Sequence, residues 1–282
     1  MTELLRKPFV MPFLIALIGI AAYANTFAVP FQFDDDAYIV NNPLIRSFHY
    51  FLAPGDVADL TELTPTAVPP ALRTAFTTRI VTYLSFAVNY HLHGLDVTGY
   101  HIVNLAIHIL SAMLVYLLVM ATLRTGPFRD RAVDRAACPA ELAAGAVALL
   151  FVSHPIQTQA VTYISQRFAS LAALFFLAAL LLYVRSVPAQ PGPLRKATYG
   201  ASLLLTVGAM LTKEFTIVLP VVVALYDTLF LPGSRGDRIR RLAPFAATVA
   251  IIPVLIFIQQ GTVHALDSTM RTITAADASS IT

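Results

Sequence analysis

Apolar residues along the chain gather in seven long runs separated by shorter polar stretches. The runs cover residues 8–29, 99–123, 141–155, 168–187, 198–212, 215–232 and 242–259. Most of them approach the ~20 residues that a helix needs to cross ~30 Å of hydrocarbon. The third and fifth runs are shorter, and we expect their helices to extend into the polar residues that flank them. The pattern therefore predicts an all-α fold, a polytopic bundle of about seven transmembrane helices.

The first apolar run has a second interpretation. Arg6 and Lys7, an apolar stretch and the triplet Ala22-Tyr23-Ala24 follow one another in the order of a cleavable signal peptide. The apolar character continues past Ala24 to Pro30. This continuation favours a retained membrane helix over a cleaved signal.

Composition supports the membrane assignment. Hydrophobic residues make up 57% of the chain and charged residues 12%, with a mean hydropathy of +0.71. A soluble domain carries about 25% charged residues, because its surface must be solvated. One cysteine, Cys138, excludes an internal disulfide or a cysteine-based metal site. Without linkers or internal repeats, residues 1–282 are predicted to form a single membrane domain with no soluble domain.

The basic residues predict an orientation. Of the 19 Lys and Arg residues, thirteen lie in the N-terminus and the short segments 124–140, 185–197 and 233–241. The remaining six are spread over the longer alternate stretches. Basic residues accumulate in cytoplasmic loops, so the N-terminus is expected inside, together with Cys138, and the 30–98 loop outside. The net charge of +3 is accordingly a sign of topology, and nucleic acid is not an expected partner.

The long first outer loop opens with an acidic triplet, Asp34, Asp35 and Asp36, in the sequence FQFDDDAYIVNNPLI. Adjacent carboxylates repel each other and lose solvation near a membrane, so such a cluster suits cation binding or acid–base chemistry. A solvated loop start or a helix cap is the alternative interpretation, and for an arbitrary acidic triplet it is the better one. In either case the carboxylates are expected to be exposed. Further along, residues 77–94 are aromatic and weakly amphipathic, which predicts a helix lying on the membrane surface.

The second apolar run begins with a polar stripe. Tyr100, Asn104 and His108 are spaced four residues apart, and His101 lies beside them on the same helix face. Polar groups on a membrane-spanning helix below the membrane surface point into the protein and often mark a site. Hydrogen bonding between helices is the alternative, above all for Asn104. Two histidines and a tyrosine on one stripe favour a lined cavity.

Two more polar clusters fall on the predicted outer side. The turn SHPIQTQAVTYISQRF (153–168) offers His154 and Arg167, and the sequence MLTKEF (210–215) offers Lys213 and Glu214. Each cluster alone could be an ordinary cap at the membrane surface. Carboxylates facing Arg and Lys beside a membrane suit a substrate with phosphate and hydroxyl groups, because basic side chains bind phosphate by charge-assisted hydrogen bonds.

The order FDDD…NNP, YLSFAVNYHLHG…GYHIVNLAIHIL, HPIQTQAVTYISQR and TKE resembles the transmembrane and tetratricopeptide-repeat (TMTC) glycosyltransferases, most closely bacterial relatives of them. These belong to the class C membrane glycosyltransferases, which include the protein O-mannosyltransferases. The resemblance runs from about residue 8 to the C-terminus. It implies a multi-pass protein of the cell inner membrane with a periplasmic active face.

The resemblance also implies an activity. A sugar, mannose or a similar hexose, would move from a polyprenyl-phosphate donor to a hydroxyl, on a protein Ser or Thr or on a glycan. The acidic pair of the first outer loop is catalytic in that class. It corresponds to Asp34 and Asp35, with Asp36 as the neighbour. Arg167 and Lys213 would bind the donor phosphate. Tyr100, His101, Asn104, His108, His154 and Glu214 would line the cavity. No cofactor is implied, and the acidic cluster leaves room for a divalent cation.

The sequence departs from the family pattern in three places. Arg79-Ile80 stands where the family often has Arg-Pro, and Gln159 stands where it often has Glu. The family usually continues to eleven or more helices and then repeats, so the chain is expected to be the N-terminal part of such an enzyme. Two other classes stay open, a truncated non-catalytic membrane protein and a transporter. A transporter should show inverted repeats or broken helices at mid-membrane, and the sequence shows neither.

Overall fold

The computed structural model describes residues 7, 9–57, 68–129, 140–188 and 191–258. Every regular element in these ranges is helical, which confirms the all-α fold. The α-helices are α1 (Val10–Ala22), α2 (His49–Leu52), α3 (Pro70–Thr78), α4 (Ile80–His93), α5 (Val97–Leu123), α6 (Gly126–Arg129), α7 (Ala140–Ser153), α8 (Thr158–Thr162), α9 (Arg167–Ser186), α10 (Pro193–Met210), α11 (Leu219–Phe230) and α12 (Arg235–Thr248). They are joined by a π-helical turn at Asp36–Val40 and 3₁₀ turns at Pro43–Arg46, Pro54–Val57, Pro155–Gln157, Ile164–Gln166 and Glu214–Val218.

The number of membrane-spanning helices is lower than predicted. In the described part of the chain, three helical stretches are long and apolar enough to span a membrane, at Val97–Leu123, Ile164–Ser186 and Arg235–Ile258. A fourth exists if the pair Ala140–Ser153 and Pro155–Thr162, bent by 49°, is one span. The prediction of seven spans is therefore wrong by these criteria.

The other apolar runs are interrupted or too short. α1 has only 13 residues, and α11 has 12 because the apolar run begins as the 3₁₀ turn Glu214–Val218 and becomes α-helical only at Leu219, with Pro220 in the first turn. α10 is longer, but Arg195 and Lys196 lie near its start and make it more polar. Hydrophobicity locates the runs, whereas proline and charged residues near the starts of α10 and α11 limit how much of each run forms an apolar helix.

The region between α1 and α5 carries helices α2, α3 and α4, as expected of an outer loop with surface helices. Gly94, at a positive φ of 57°, ends α4 in a conformation that favours glycine. Asp96 then begins α5, because its carboxylate accepts the Thr98 N–H at 3.0 Å. Cys138 lies outside the described residues, so its predicted side of the membrane stays a prediction.

α5 is the central helix of the bundle. α9 packs along one side of it and α7 along another, while α1 packs against both α5 and α7. The close approach of α1 depends on Gly19, where an added Cβ would stand 2.8 Å from Ile109 and 3.0 Å from Val152. α9, α10, α11 and α12 build a second core around Tyr183 and Phe245. A third, aromatic core joins the outer-loop helices to the N-terminal ends of α5 and α9.

Candidate active site

Asp35 is buried between two segments that are far apart in the sequence. Asp35 is only 1% exposed, and its Oδ1 accepts the backbone N–H of Ser165 at 2.7 Å. Oδ2 accepts the N–H of Gln32 at 2.9 Å. Burial raises the pKa of the Asp35 carboxyl, and the two N–H donors oppose this rise. The expectation of an exposed carboxylate is wrong for Asp35, because the acidic turn folds back onto the Ile164–Gln166 turn.

The two flanking acids are exposed. The backbone N–H of Asp34 donates to the Tyr163 hydroxyl at 3.0 Å, which places a phenol beside the first carboxylate of the triplet. The residue before it, Phe33, has φ 48°, and its ring contacts the Tyr163 ring edge-on at 6.2 Å. A bulky residue in the left-handed region is strained, and such strain concentrates at functional sites. Asp36 begins the π-helical turn Asp36–Val40.

Arg167 is fully buried at the start of α9. Its guanidinium donates to Asn104 Oδ1 at 2.7 Å, to the Tyr100 carbonyl at 3.0 Å and to the Ser85 carbonyl at 3.4 Å. It also lies over the Phe86 ring at 4.6 Å. Each of its three nitrogens thus has a neutral partner. This geometry favours a positioning role for Arg167 over direct contact with a phosphate.

The polar stripe of α5 is buried and hydrogen-bonded to backbone carbonyls. His101 Nε2 lies 2.8 Å from the Val29 carbonyl, and His108 Nε2 lies 3.1 Å from the Val152 carbonyl. Asn104 donates to the Ile164 carbonyl at 3.2 Å, and Tyr100 donates to the Gly94 carbonyl at 3.0 Å. These are bonds between segments, the alternative that the sequence leaves open for Asn104. His101 and Asn104 thus hold α5 to the segment before the acidic turn and to the Ile164–Gln166 turn, whereas His108 bonds to the end of α7.

His154 is exposed, and its Nδ1 accepts the Ile156 N–H at 3.2 Å. It therefore begins the Pro155–Gln157 turn as an N-terminal cap. Its described contact is local, and it does not tie His154 to the acidic turn.

A second charged group lies at the junction of α3, α4 and the Glu214–Val218 turn. Arg79 Nε forms an ion pair with Glu214 Oε1 at 2.8 Å, and both side chains remain partly exposed. Burial and the nearby Arg79 cation lower the pKa of Lys213. Burial alone would raise the pKa of Glu214, but the hydrogen bond and charge of Arg79 leave it lowered. The sequence predicts Lys213 and Glu214 as site residues, whereas Arg79 stands there only at a departure from the family pattern.

An aromatic cluster of Tyr38, Tyr83 and Phe168 connects the acidic turn with the Arg79–Glu214 ion pair. The Arg79 guanidinium lies over the Phe168 ring at 5.4 Å, and Phe168 contacts Tyr38 and Tyr83 edge-on at 5.4 and 5.2 Å. Tyr38 belongs to the π-helical turn that follows the acidic triplet. Asp35 is bonded to Ser165, two residues before Arg167, and two residues span at most ~7 Å. The structure thus brings the acidic turn, Arg167 and the Arg79–Lys213 cations into one region.

The described residues contain no group of three His, Cys, Asp or Glu side chains that could hold a metal ion. The acidic triplet itself is divided, since Asp35 is buried and its neighbours point outward into exposed positions. The described residues therefore offer no set of ligands for the divalent cation that the acidic cluster leaves room for.

Three relatives show what the chain is similar to. It is 32% identical over 168 residues to "Protein O-mannosyl-transferase Tmtc3" of Drosophila melanogaster, covering 56% of the chain and 18% of that protein. It is 35% identical over 162 residues to mouse "Protein O-mannosyl-transferase TMTC1", covering 55% and 16%. It is 31% identical over 242 residues to Xenopus laevis "Protein O-mannosyl-transferase tmtc2", covering 80% and 25%. No family model and no solved structure matches.

The similarity is limited to part of these proteins. The chain matches a quarter or less of the length of each of the three. The resemblance to TMTC proteins is confirmed over the matched residues. All three relatives are animal proteins, and the bacterial origin stays a prediction.

Proposed function

We propose that the chain forms part of a membrane glycosyltransferase that moves mannose, or a similar hexose, from a polyprenyl-phosphate donor to a hydroxyl acceptor. The observation that carries this proposal is the acidic turn held against Tyr163 and Ser165, in the same region as Arg79 and Lys213. The names of the relatives add O-mannosyl transfer as the activity to test. The proposed acceptor is the hydroxyl of a protein Ser or Thr, and a glycan hydroxyl is the alternative acceptor.

The two half-buried cations of this region, Arg79 and Lys213, suit the donor phosphate. Beyond the effect of burial, both residues are close enough for the charge of Arg79 to lower the pKa of Lys213, and Arg79 lies over the Phe168 ring of the aromatic cluster. A partly desolvated pair of cations binds a phosphate strongly, because water screens it less than at an open surface. Glu214 neutralises one of them in the absence of donor. Arg167 supports this arrangement from below by fixing the start of α9, from which Phe168 projects.

Asp34 is the proposed general base. Its carboxylate would take the proton of the acceptor hydroxyl as that oxygen attacks the anomeric carbon of the sugar. The bond from that carbon to the phosphate oxygen breaks, and polyprenyl phosphate leaves with the electron pair toward Arg79 and Lys213. A single displacement of this kind inverts the anomeric configuration. Asp35 positions the turn through its two N–H bonds, and Asp36 is the third, weaker candidate.

The proposed location is the cell inner membrane, with several spans, the N-terminus in the cytoplasm and the site on the periplasmic face. The thirteen clustered basic residues support this orientation. Cys138 would then be inside. Labelling of Cys138 in intact cells by a membrane-impermeant thiol reagent would overturn it.

The test of function separates transfer from donor binding. We expect Asp34→Asn to lower transfer from polyprenyl-phosphate mannose to a Ser/Thr peptide by two to four orders of magnitude, roughly the share of a general base. The same variant should still bind the donor in native mass spectrometry. Arg79→Gln and Lys213→Gln should instead weaken donor binding. Asp56→Asn is the matched control, an exposed carboxylate of the same outer region that pairs only with His49 in the described contacts.

Two results would contradict the proposal. Transfer at the unaltered rate by Asp34→Asn would remove this carboxylate from the chemistry. Donor binding that is unchanged in the Arg79→Gln/Lys213→Gln double variant would remove the cations from the donor site.

A further inference from the structure

A large cavity lies at the other end of the bundle. It has a volume of about 910 Å³ and is bounded by the C-terminal parts of α5, α9 and α11 and by the first turn of α12. Its walls are mostly apolar and include Leu117, Met120, Leu229 and Phe230. Such a volume lies at the upper end of the range for small-molecule sites. None of the residues of the candidate active site takes part in it.

The cavity is far from the acidic turn along the membrane direction. Tyr100, in the first turn of α5, packs near the site of Asp35, whereas Arg124 follows the last turn of the same helix. α5 has 27 residues, which at 1.5 Å per residue is a length of about 40 Å. A bilayer with its headgroup layers is about 40–45 Å thick. The cavity therefore lies at the level of the opposite headgroup layer, with its apolar walls reaching toward the hydrocarbon.

Three arginines, Arg124, Arg185 and Arg238, line this cavity. Arg238 donates from Nη2 to the Leu231 carbonyl at 3.0 Å, but its Nε is buried and has no hydrogen-bond partner in the described structure. A buried N–H without an acceptor is costly, and an additional acceptor in the cavity would remove that cost. Arg124 and Arg185 are exposed and add two positive charges nearby. Two carboxylates lie next to lining residues in the sequence: Asp227 is fully buried and paired with Arg241, and Asp237 is exposed and bonded to Ser234 at the start of α12.

We propose that this cavity binds an anionic phospholipid of the adjacent leaflet. The phosphate of the headgroup would meet the three arginines, and the Arg238 Nε–H would donate to one of its oxygens. The acyl chains would follow the apolar walls formed by α5 and α11. The excess of positive charge selects an anionic lipid over a zwitterionic one, and the apolar lining selects a lipid over a free phosphate ion. Such a site is independent of the proposed transfer activity.

The experiment is native mass spectrometry of the full chain released from nanodiscs of defined composition. From an equimolar mixture of phosphatidylglycerol and phosphatidylcholine, the protein should retain phosphatidylglycerol in preference. Arg238→Gln should lower this retention by about five-fold, the effect of removing one basic contact with an anionic membrane. Arg240→Gln is the matched control, because Arg240 is an exposed arginine on the same helix and does not line the cavity. It should retain the lipid like the unaltered protein.

A second variant tests the walls without changing charge. Leu117→Trp places a larger side chain in the cavity and should also reduce lipid retention, with the folded state checked by gel filtration. Equal retention of both lipids by the unaltered protein would overturn the proposal, and this result does not depend on any variant folding. Equal losses in Arg238→Gln and Arg240→Gln would overturn it as well. Displacement of the lipid by millimolar inorganic phosphate would show a site for a soluble anion and would also contradict it.

Discussion

The two ends of the bundle stabilise buried charge in opposite ways. At one end Asp35 and Arg167 are both buried, and the described hydrogen bonds to them come from backbone groups and the Asn104 amide. At the other end Asp227 and Arg241 bind each other through two hydrogen bonds, one of them 2.7 Å long, and the Tyr183 hydroxyl donates to Asp227 at 2.7 Å. The first pair of charges is held by dipoles, and the second is neutralised by an ion pair.

This difference bears on what each end can do. A charge that is neutralised by its counter-ion creates little field beyond the pair, so Asp227 and Arg241 suit the fastening of α12 to α9 and α11. A charge held only by neutral dipoles keeps its field, and preorganised fields of this kind stabilise charge that develops during a reaction. The end that carries Asp35 is also the end with the strained Phe33 and the exposed Asp34. We therefore expect chemistry at the end that carries Asp35, called the chemical end below, and call the end with Asp227 and Arg241 the structural end.

The largest expected effect breaks the structural end. Asp227→Asn leaves the largely buried Arg241 guanidinium without its counter-ion, and we expect the free energy of unfolding to fall by about 3 kcal/mol or more. The double variant Asp227→Asn/Arg241→Gln should recover part of that loss, because no unpaired charge remains. Denaturant unfolding in detergent measures both. Strictly additive losses would show that the two residues do not act as a pair.

The next effect tests the chemical end. Arg167→Met keeps most of the side-chain volume but strands the buried Asn104 Oδ1, and we expect a loss of about 1–3 kcal/mol in the free energy of unfolding. Arg235→Met, an exposed arginine at the start of α12, serves as control and should change stability by less than about 0.5 kcal/mol. If Arg167→Met were as stable as its control, the buried guanidinium would not support this end of the fold.

The smallest effect compares two carboxyls of the chemical end through pH. The folded-state pKa of Asp35 is raised, so its contribution to stability is present below the unfolded-state pKa and is lost as pH rises through the folded-state value. The pKa of Glu214 is lowered, so its contribution is present above the unfolded-state pKa and is lost as pH falls through the folded-state value. The Arg79–Glu214 pair contributes about 1 kcal/mol at most, because both side chains are partly exposed.

Thermal midpoints in detergent, measured across the acidic range, check this prediction. The loss caused by Asp35→Asn should shrink as pH rises, while the loss caused by Glu214→Gln should grow. Parallel curves for the two variants would mean that burial does not dominate the environment of Asp35.

The sequence predicted elements whose signals are local. The run at 99–123 became α5 at Val97–Leu123, because continuous apolar character and the Asp96 cap lie within the same stretch. The predicted number of spans was wrong because of breaks at His154-Pro155 and at Lys213-Glu214. At each place a short polar or proline-containing stretch inside apolar sequence divides or shortens a helix. Hydropathy averaged over a long window hides such breaks.

The candidate site was predictable in its residue types but not in its burial. Nothing near Asp35 in the sequence distinguishes it from Asp34, since the N–H that covers its Oδ1 belongs to Ser165, 130 residues away. Arg79 was not singled out for the same reason, because its partner Glu214 is 135 residues distant. The pairing of distant segments determines which member of each cluster is exposed, and a single sequence does not encode it in any local pattern.

The bond between Asp35 and Ser165 also has a consequence for biogenesis. Ribosomes add about 5–20 residues per second, so the partner of Asp35 is synthesised on the order of ten seconds after it. During that interval the acidic turn is outside its final environment, with α5, α7 and α9 still to be inserted. We therefore expect the turn to acquire its conformation late, after α9 has entered the membrane. Ribosome-stalled chains ending before and after α9 would show this as a gain of protease resistance around residue 35.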